Sequence, residues 1–347
     1  MNQHPYHAIP RYSRWKQGVG EGVEPREMLA GLNFRGLTQS DRVFSAGSCF
    51  ASHVGTYLER SGITYVRTER RPSALAASPD GLGYETFSAR FGNIYTSRQF
   101  LQLLVRCTGN WAPEEDRWRT GGGLVDPFRP GLKYLPASDD EFDAVTKSHL
   151  SATRAAIEAA TVVIFTLGLT EAWHANDGAV FPVCPGTVAG DFDPSRHHFT
   201  NLTVGDVASD LRQARSEISR VNPTARFVVT VSPVPLVATA TGKHAAVASL
   251  ESKSILRAAV AEAQRQDHDI EYFPSYELLM GWQTPPGCWE RDMRTVTKFG
   301  LDYVMSTLLP DESSSAVERV APEADAAALS KLVTEVECEE AQYEKFA

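Results

Sequence analysis

The sequence predicts an α/β protein in three layers, a parallel sheet with helices on both faces. Three observations lead there. Segments of strand and helix character alternate from Val43 to Leu308, the pattern that builds a parallel sheet through crossover helices. Val162–Leu167 (VVIFTL) is apolar without interruption, as a strand buried on both faces requires. Ser48, Thr170 and Ser232 each lie just past an apolar run, which gathers them on the rim where open sheets carry their sites.

The first unit runs from Arg42 to Gly62. Val43-Phe44 starts a strand, Ala46-Gly47-Ser48 makes a small-residue turn, and Val54, Tyr57 and Leu58 share one face of a helix that Gly62 ends. Residues 78–136 are rich in Gly, Trp, Arg and Pro and hold one clear helix, Ser97–Cys107. They are expected to form an insertion or lid over the site. After the strand Val162–Leu167, Asn176-Asp177-Gly178 between Trp173 and Val180-Phe181 signals a β-hairpin. The stretch Pro182–Asn201 is too long for a passive connection, and shaping a pocket and a structural role suit it equally. Val204–Val221 reads as a helix stopped before Asn222-Pro223. The strand Phe227–Val231, the helix Ala245–Gln266, the strand Ile270–Phe273 and the helix Lys298–Leu308 complete the alternation.

Composition narrows the function classes. The chain has 347 residues, 42% of them hydrophobic, and a net charge of −9. From Asp311 onward ten acidic residues face only Arg319, Lys331 and Lys345, so the body is close to neutral. It lacks the basic patch that nucleic-acid binding needs. The boundaries expected are one domain over 1–310 and an acidic tail over 311–347, in which Ala324–Phe346 forms at most a short amphipathic helix. The five scattered cysteines include no CxxC pair, which argues against a disulfide framework and a zinc site. The N-terminus has no apolar h-region and no segment reaches membrane-spanning length. The expectation is a reduced, soluble, cytoplasmic protein without cofactor or metal and of open oligomeric state.

Ser48 is the nucleophile candidate. A hydroxyl where a helix begins lies beside unpaired N–H groups and a partial positive charge, which stabilise an alkoxide or oxyanion; the plain alternative is an N-cap. The string Gly47-Ser48-Cys49-Phe50-Ala51 resembles the signature of the GSCFA family, related to the SGNH/GDSL hydrolases, whose opening Gly-Asp-Ser supplies a serine nucleophile. Further blocks resemble that family in order: Phe91-Gly92-Asn93-Ile94-Tyr95-Thr96, Asp126-Pro127-Phe128-Arg129-Pro130, Thr166–Trp173, Val231–Pro235 and Tyr272–Glu277. The resemblance implies a flavodoxin-like SGNH fold. It also implies serine-dependent ester hydrolysis or O-acyl transfer on a small-molecule or carbohydrate substrate.

The same resemblance suggests partners for the serine. In the related hydrolases a lone glycine and a Gly-x-Asn-Asp segment help to bind the oxyanion. By position Gly92, or the amide of Asn93, matches the first, and Gly168-Leu169-Thr170-Glu171 matches the second, with Thr170 where asparagine is usual. Gly92 reads equally as a turn residue and Thr170 as a helix cap. The relatives close on Asp-x-x-His, whereas here Asp292 is followed by Thr295, and threonine accepts no proton near neutral pH. Three explanations stay open. Another histidine serves, His244 first, then His174 or His53; or Glu171 or Asp292 acts as base with a raised pKa; or the chain is a non-catalytic carbohydrate-binding protein on a hydrolase scaffold. His197-His198, Cys49, Arg129, Arg257 and Lys253 have structural readings that are preferred to catalytic ones.

Overall fold

In the computed structural model, residues 4–71 and 82–310 are described; the acidic tail 311–347 and residues 72–81 lie outside the described residues. Short helical turns between Pro5 and Leu29 lead into β1 (Arg42–Gly47), α1 (Cys49–Arg60) and β2 (Thr64–Tyr65). There follow α2 (Ser97–Cys107), the β3–β4 hairpin (Trp118–Thr120, Gly123–Val125), α3 (Asp139–Ala159) and β5 (Val162–Leu167). Three short strands come next, β6 (Glu171–His174), β7 (Val180–Phe181) and β8 (His198–Asn201). The chain ends in α4 (Val204–Val221), β9 (Arg226–Val231), α5 (Ala245–Gln266), β10 (Ile270–Phe273), α6 (Ser275–Met280) and α7 (Lys298–Leu308).

The central sheet has five parallel strands in the order β10-β9-β5-β1-β2. Numbered along the chain this is 2-1-3-4-5, the flavodoxin-like order, with its switch point between β1 and β5. The period of two along each strand divides the core. Phe44, Val163, Phe165, Phe227 and Val229 face a cluster completed by α2, α3, α4 and α5. Val43, Val162, Ile164 and Val228 face a second cluster with α1, α6 and α7. Helices therefore cover both faces, which is the expected three-layer α/β/α arrangement.

Local chemistry fixes the helix ends. Thr96 and Gln99 form a capping box at α2, and Thr203 and Asp206 form one at α4. Ser138 caps α3, whose first turn carries Asp139, Asp140 and Glu141 at the positive end of the helix dipole. Asn222, just before Pro223, donates to the carbonyls of Ile157 and Ala160 at 3.0 and 2.8 Å and so ties the end of α3 to the end of α4.

The structure adds to the sequence expectation at two helices and forms the expected hairpin. The helix Ser97–Cys107 sits in the helical layer: Phe100 stacks on Phe165 with ring centroids 4.1 Å apart, and α2 packs on α4. The hairpin across Asn176-Asp177-Gly178 forms with Trp173 opposite Phe181, and the long loop after it returns as β8 along the other edge of β6. The helix α3 was not anticipated.

Candidate functional site

The strands β1, β5 and β9 end level with one another: Gly47 pairs with Thr166, and Leu167 with Val231. The next residues, Ser48, Gly168 and Ser232, meet on one rim and line a pocket of about 250 Å3 with Tyr95, Leu169 and Leu236. Two close approaches shape it. Gly47 has φ +152°, and a Cβ there would lie 2.6 Å from the Thr166 carbonyl oxygen. A Cβ on Gly168 would lie 3.2 Å from the Cβ of Ser48 and 3.0 Å from the Tyr95 carbonyl oxygen. Larger residues would push the strand ends apart.

Ser48 occupies the N-cap position of α1 without making a side-chain cap. It is 4% exposed, and its Oγ has no hydrogen-bond partner among the described residues. A buried polar atom left in that state requires a reason. Asn93 Oδ1 and, on the strand residue paired with Gly47, Thr166 Oγ1 are also buried without a partner among the described residues. Gly92 before Asn93 has φ +67°, a conformation that favours glycine, and Ile94 after Asn93 donates its N–H to the Gly47 carbonyl at 2.8 Å.

Gly168 lies against Ser48, but its N–H goes to the Tyr95 carbonyl at 2.8 Å, and that of Leu169 goes to the same oxygen at 3.1 Å. Thr170 is fully buried. Its hydroxyl donates to Asn201 Oδ1 at 2.5 Å, and its N–H donates to Ser252 Oγ at 3.0 Å. Glu171 accepts from the Thr239 hydroxyl and the Ala240 N–H at 2.5 and 2.9 Å, which ties down the loop before α5.

The base candidates lie elsewhere. Among the described residues lining the Ser48 pocket there is no His, Asp or Glu. His244 is exposed and caps α5, its Nδ1 accepting from the Ala246 N–H at 3.2 Å. Asp292 is exposed and accepts from the Thr295 hydroxyl at 2.6 Å and from the N–H groups of Arg294 and Thr295, both at 2.9 Å. Burial raises its pKa, but the bonds from Thr295 and Arg294 outweigh that and hold the carboxyl below its usual range. His174 is held by the Ala175 carbonyl and the Thr200 hydroxyl. His53 on α1 is half-buried, and burial pushes its pKa down to about 4.

Lys253 is the residue that sequence reasoning undervalued. It is buried on α5, and its ammonium donates to the Gly168 carbonyl. With Ser252 on the Thr170 amide, neighbouring residues of one helix hold both ends of the Gly168–Thr170 turn. A signal existed: Lys253 falls between Ser249 and Leu256 on the helical stripe that the core takes, a place where a lysine needs a buried partner. His197 and His198 pair with Glu115 and Asn176, respectively. Among the described residues no three His, Cys, Asp or Glu side chains gather as a metal site, and no helix is long and apolar enough to cross a membrane.

No curated protein matches the sequence. Solved structures similar to the chain include a carbohydrate esterase family 3 protein from Talaromyces cellulolyticus, with 9% identity, 81% of this chain and 100% of that chain covered, and a TM-score of 0.37. A putative platelet activating factor from Streptococcus pneumonia has 10% identity, with 82% and 89% covered and a TM-score of 0.35. A Clostridium thermocellum family 3 carbohydrate esterase has 10% identity, with 77% and 92% covered and a TM-score of 0.32. The GSCFA family model matches residues 42–308, through every strand of the central sheet and the turn that carries Ser48, and the chain belongs to the GSCFA family.

Proposed function

We propose that the protein is a serine-dependent ester hydrolase or O-acyltransferase acting on a carbohydrate or similar polar hydroxyl substrate, with Ser48 as nucleophile. One observation carries the reading: Ser48 stands at the switch point of the sheet and at the start of α1, yet its buried Oγ neither caps the helix nor bonds to any described residue. In the proposed reaction Oγ attacks the ester carbonyl carbon, and the first-turn amides of α1 face the developing oxyanion. Collapse of the tetrahedral adduct expels the alcohol and leaves an acyl-serine. Water or an acceptor hydroxyl then takes the acyl group and regenerates Ser48.

The serine proton needs an acceptor, and the pocket lining holds no ordinary base. Turnover should therefore fall short of that of an enzyme with a positioned histidine by the usual contribution of a general base, ~10^2–10^4-fold. Hydrolysis of 4-nitrophenyl acetate by the wild type and by Ser48→Ala tests the reading. Loss of turnover in a folded Ser48→Ala protein is expected; equal turnover would end the serine assignment.

A second reading, carbohydrate binding without catalysis, is favoured by Thr295. Its hydroxyl occupies the Asp292 carboxylate that would orient a histidine. Ester turnover by the wild type, even slow, argues against that reading.

A further inference from the structure

A cluster of buried charge lies apart from the Ser48 pocket. Three arginines, Arg90, Arg106 and Arg129, are buried together with Asp126 and His149, and Glu69 beside them is nearly so. Arg129 Nε donates to Asp126 Oδ2 at 2.7 Å. Arg90 lies 3.9 Å from Glu69, and its Nη2 is buried without a partner among the described residues. Burial and the nearby Arg129 push the His149 pKa down to about 4. Its Nδ1 lies 2.7 Å from Glu69, an acceptor-only carboxylate, so that nitrogen carries a proton. Asp126 and Glu69 are the carboxylates inside the cluster, and Glu85 and Asp116 act on Arg90 and Arg106 from its edge.

Arg106 is a cation of the cluster without a hydrogen-bonded carboxylate among the described residues. It is 8% exposed, and its guanidinium lies 4.0 Å over the Phe128 ring. No described residue accepts a hydrogen bond from it. It lines a partly open cleft with Arg129, His149, Phe91, Leu103 and Phe128. A second cleft shares Arg129. Asp126 and Asp116 favour the charge of Arg106 without bonding to it, so its N–H groups stay open, and its planar fork matches carboxylate and phosphate oxygens.

The geometry points to a second binding site here, for a small organic anion whose carboxylate or phosphate is held by Arg106 and Arg129 and whose apolar body lies against Phe91, Leu103 and Phe128. The segment Phe91–Thr96 separates it from the nucleophile: Phe91 and Ile94 line this cavity, whereas Tyr95 lines the Ser48 pocket. The site stands whether or not Ser48 reacts.

Thermal melting of the full chain tests it, with benzoate and phenyl phosphate as probes and sodium chloride at matched ionic strength as control. The expected result is a saturable rise of several degrees with at least one probe, and the stronger probe names the headgroup. Arg106→Leu should need at least tenfold more ligand for the same rise, whereas Ser48→Ala should respond as the wild type does. Arg106→Gln, which keeps a polar side chain of similar length, reads the same loss if the leucine variant does not fold. No response to either probe up to tens of millimolar would overturn the proposal. So would an undiminished response in the Arg106 variant, or a response that disappears with Ser48→Ala.

Discussion

Ser48 ends the turn from β1 and begins α1, so its side chain is oriented by a strand and polarised by a helix. Two glycines make the position possible, because Gly47 and Gly168 leave room that any Cβ would fill at 2.6 to 3.2 Å. Two histidines shielded from water, His53 and His149, give the molecule a pH dependence whose sign is fixed. His53 has a pKa pushed down to about 4 by burial, whereas in the unfolded chain it titrates near the ordinary value of about 6.5. Between those values the unfolded state binds the proton and the folded state does not, so stability falls as pH drops from about 6.5 to about 4. The loss is up to about 3 kcal/mol for this residue, and His149 acts in the same direction. Melting temperature against pH checks this: His53→Gln should flatten the acid limb, and an unchanged limb would contradict the burial of the ring. At this scale Ser48 was legible because a strand-turn-helix is local. Lys253 was not, because its partner, the Gly168 carbonyl, is 85 residues away in the chain.

The helices show what makes an element readable. The segments Ser97–Cys107 and Val204–Val221 carry capping boxes and strong apolar stripes, and both form within the expected bounds. The helix α3 buries Phe142, His149, Thr153, Ala156 and Ile157; with a histidine and a threonine in the middle of that face, its apolar periodicity is faint. The packing of α2 gives a prediction. Phe100 is fully buried against Phe165 and Phe227, so Phe100→Ala should cost about 3–5 kcal/mol, read by denaturant unfolding. A loss below about 1 kcal/mol, the range of surface changes, would place α2 outside the layer.

At the scale of the whole molecule the alternation of strands and helices made the parallel sheet legible, and the rim of Ser48, Gly168 and Ser232 follows from the sheet order. The base was not legible, because proximity on that rim depends on loops whose paths no local pattern encodes. His244 and Asp292 are both engaged locally, one as a helix cap and one in its own turn. The C-terminal boundary can be tested on the same footing. Leu308 and Leu309 are buried, and Arg26 donates to the Leu309 carbonyl at 2.8 Å, so the described core closes there. A chain ended after Pro310 should melt within a few degrees of the full chain; a much lower midpoint would make the acidic segment part of the fold. The central claim, that Ser48 is a reactive nucleophile, meets its most direct test in covalent labelling with a fluorophosphonate, followed by peptide mass mapping. The account predicts a single adduct on Ser48 that is absent from a folded Ser48→Ala protein. A wild-type chain that stays unlabelled, or that carries its adduct elsewhere, would contradict it.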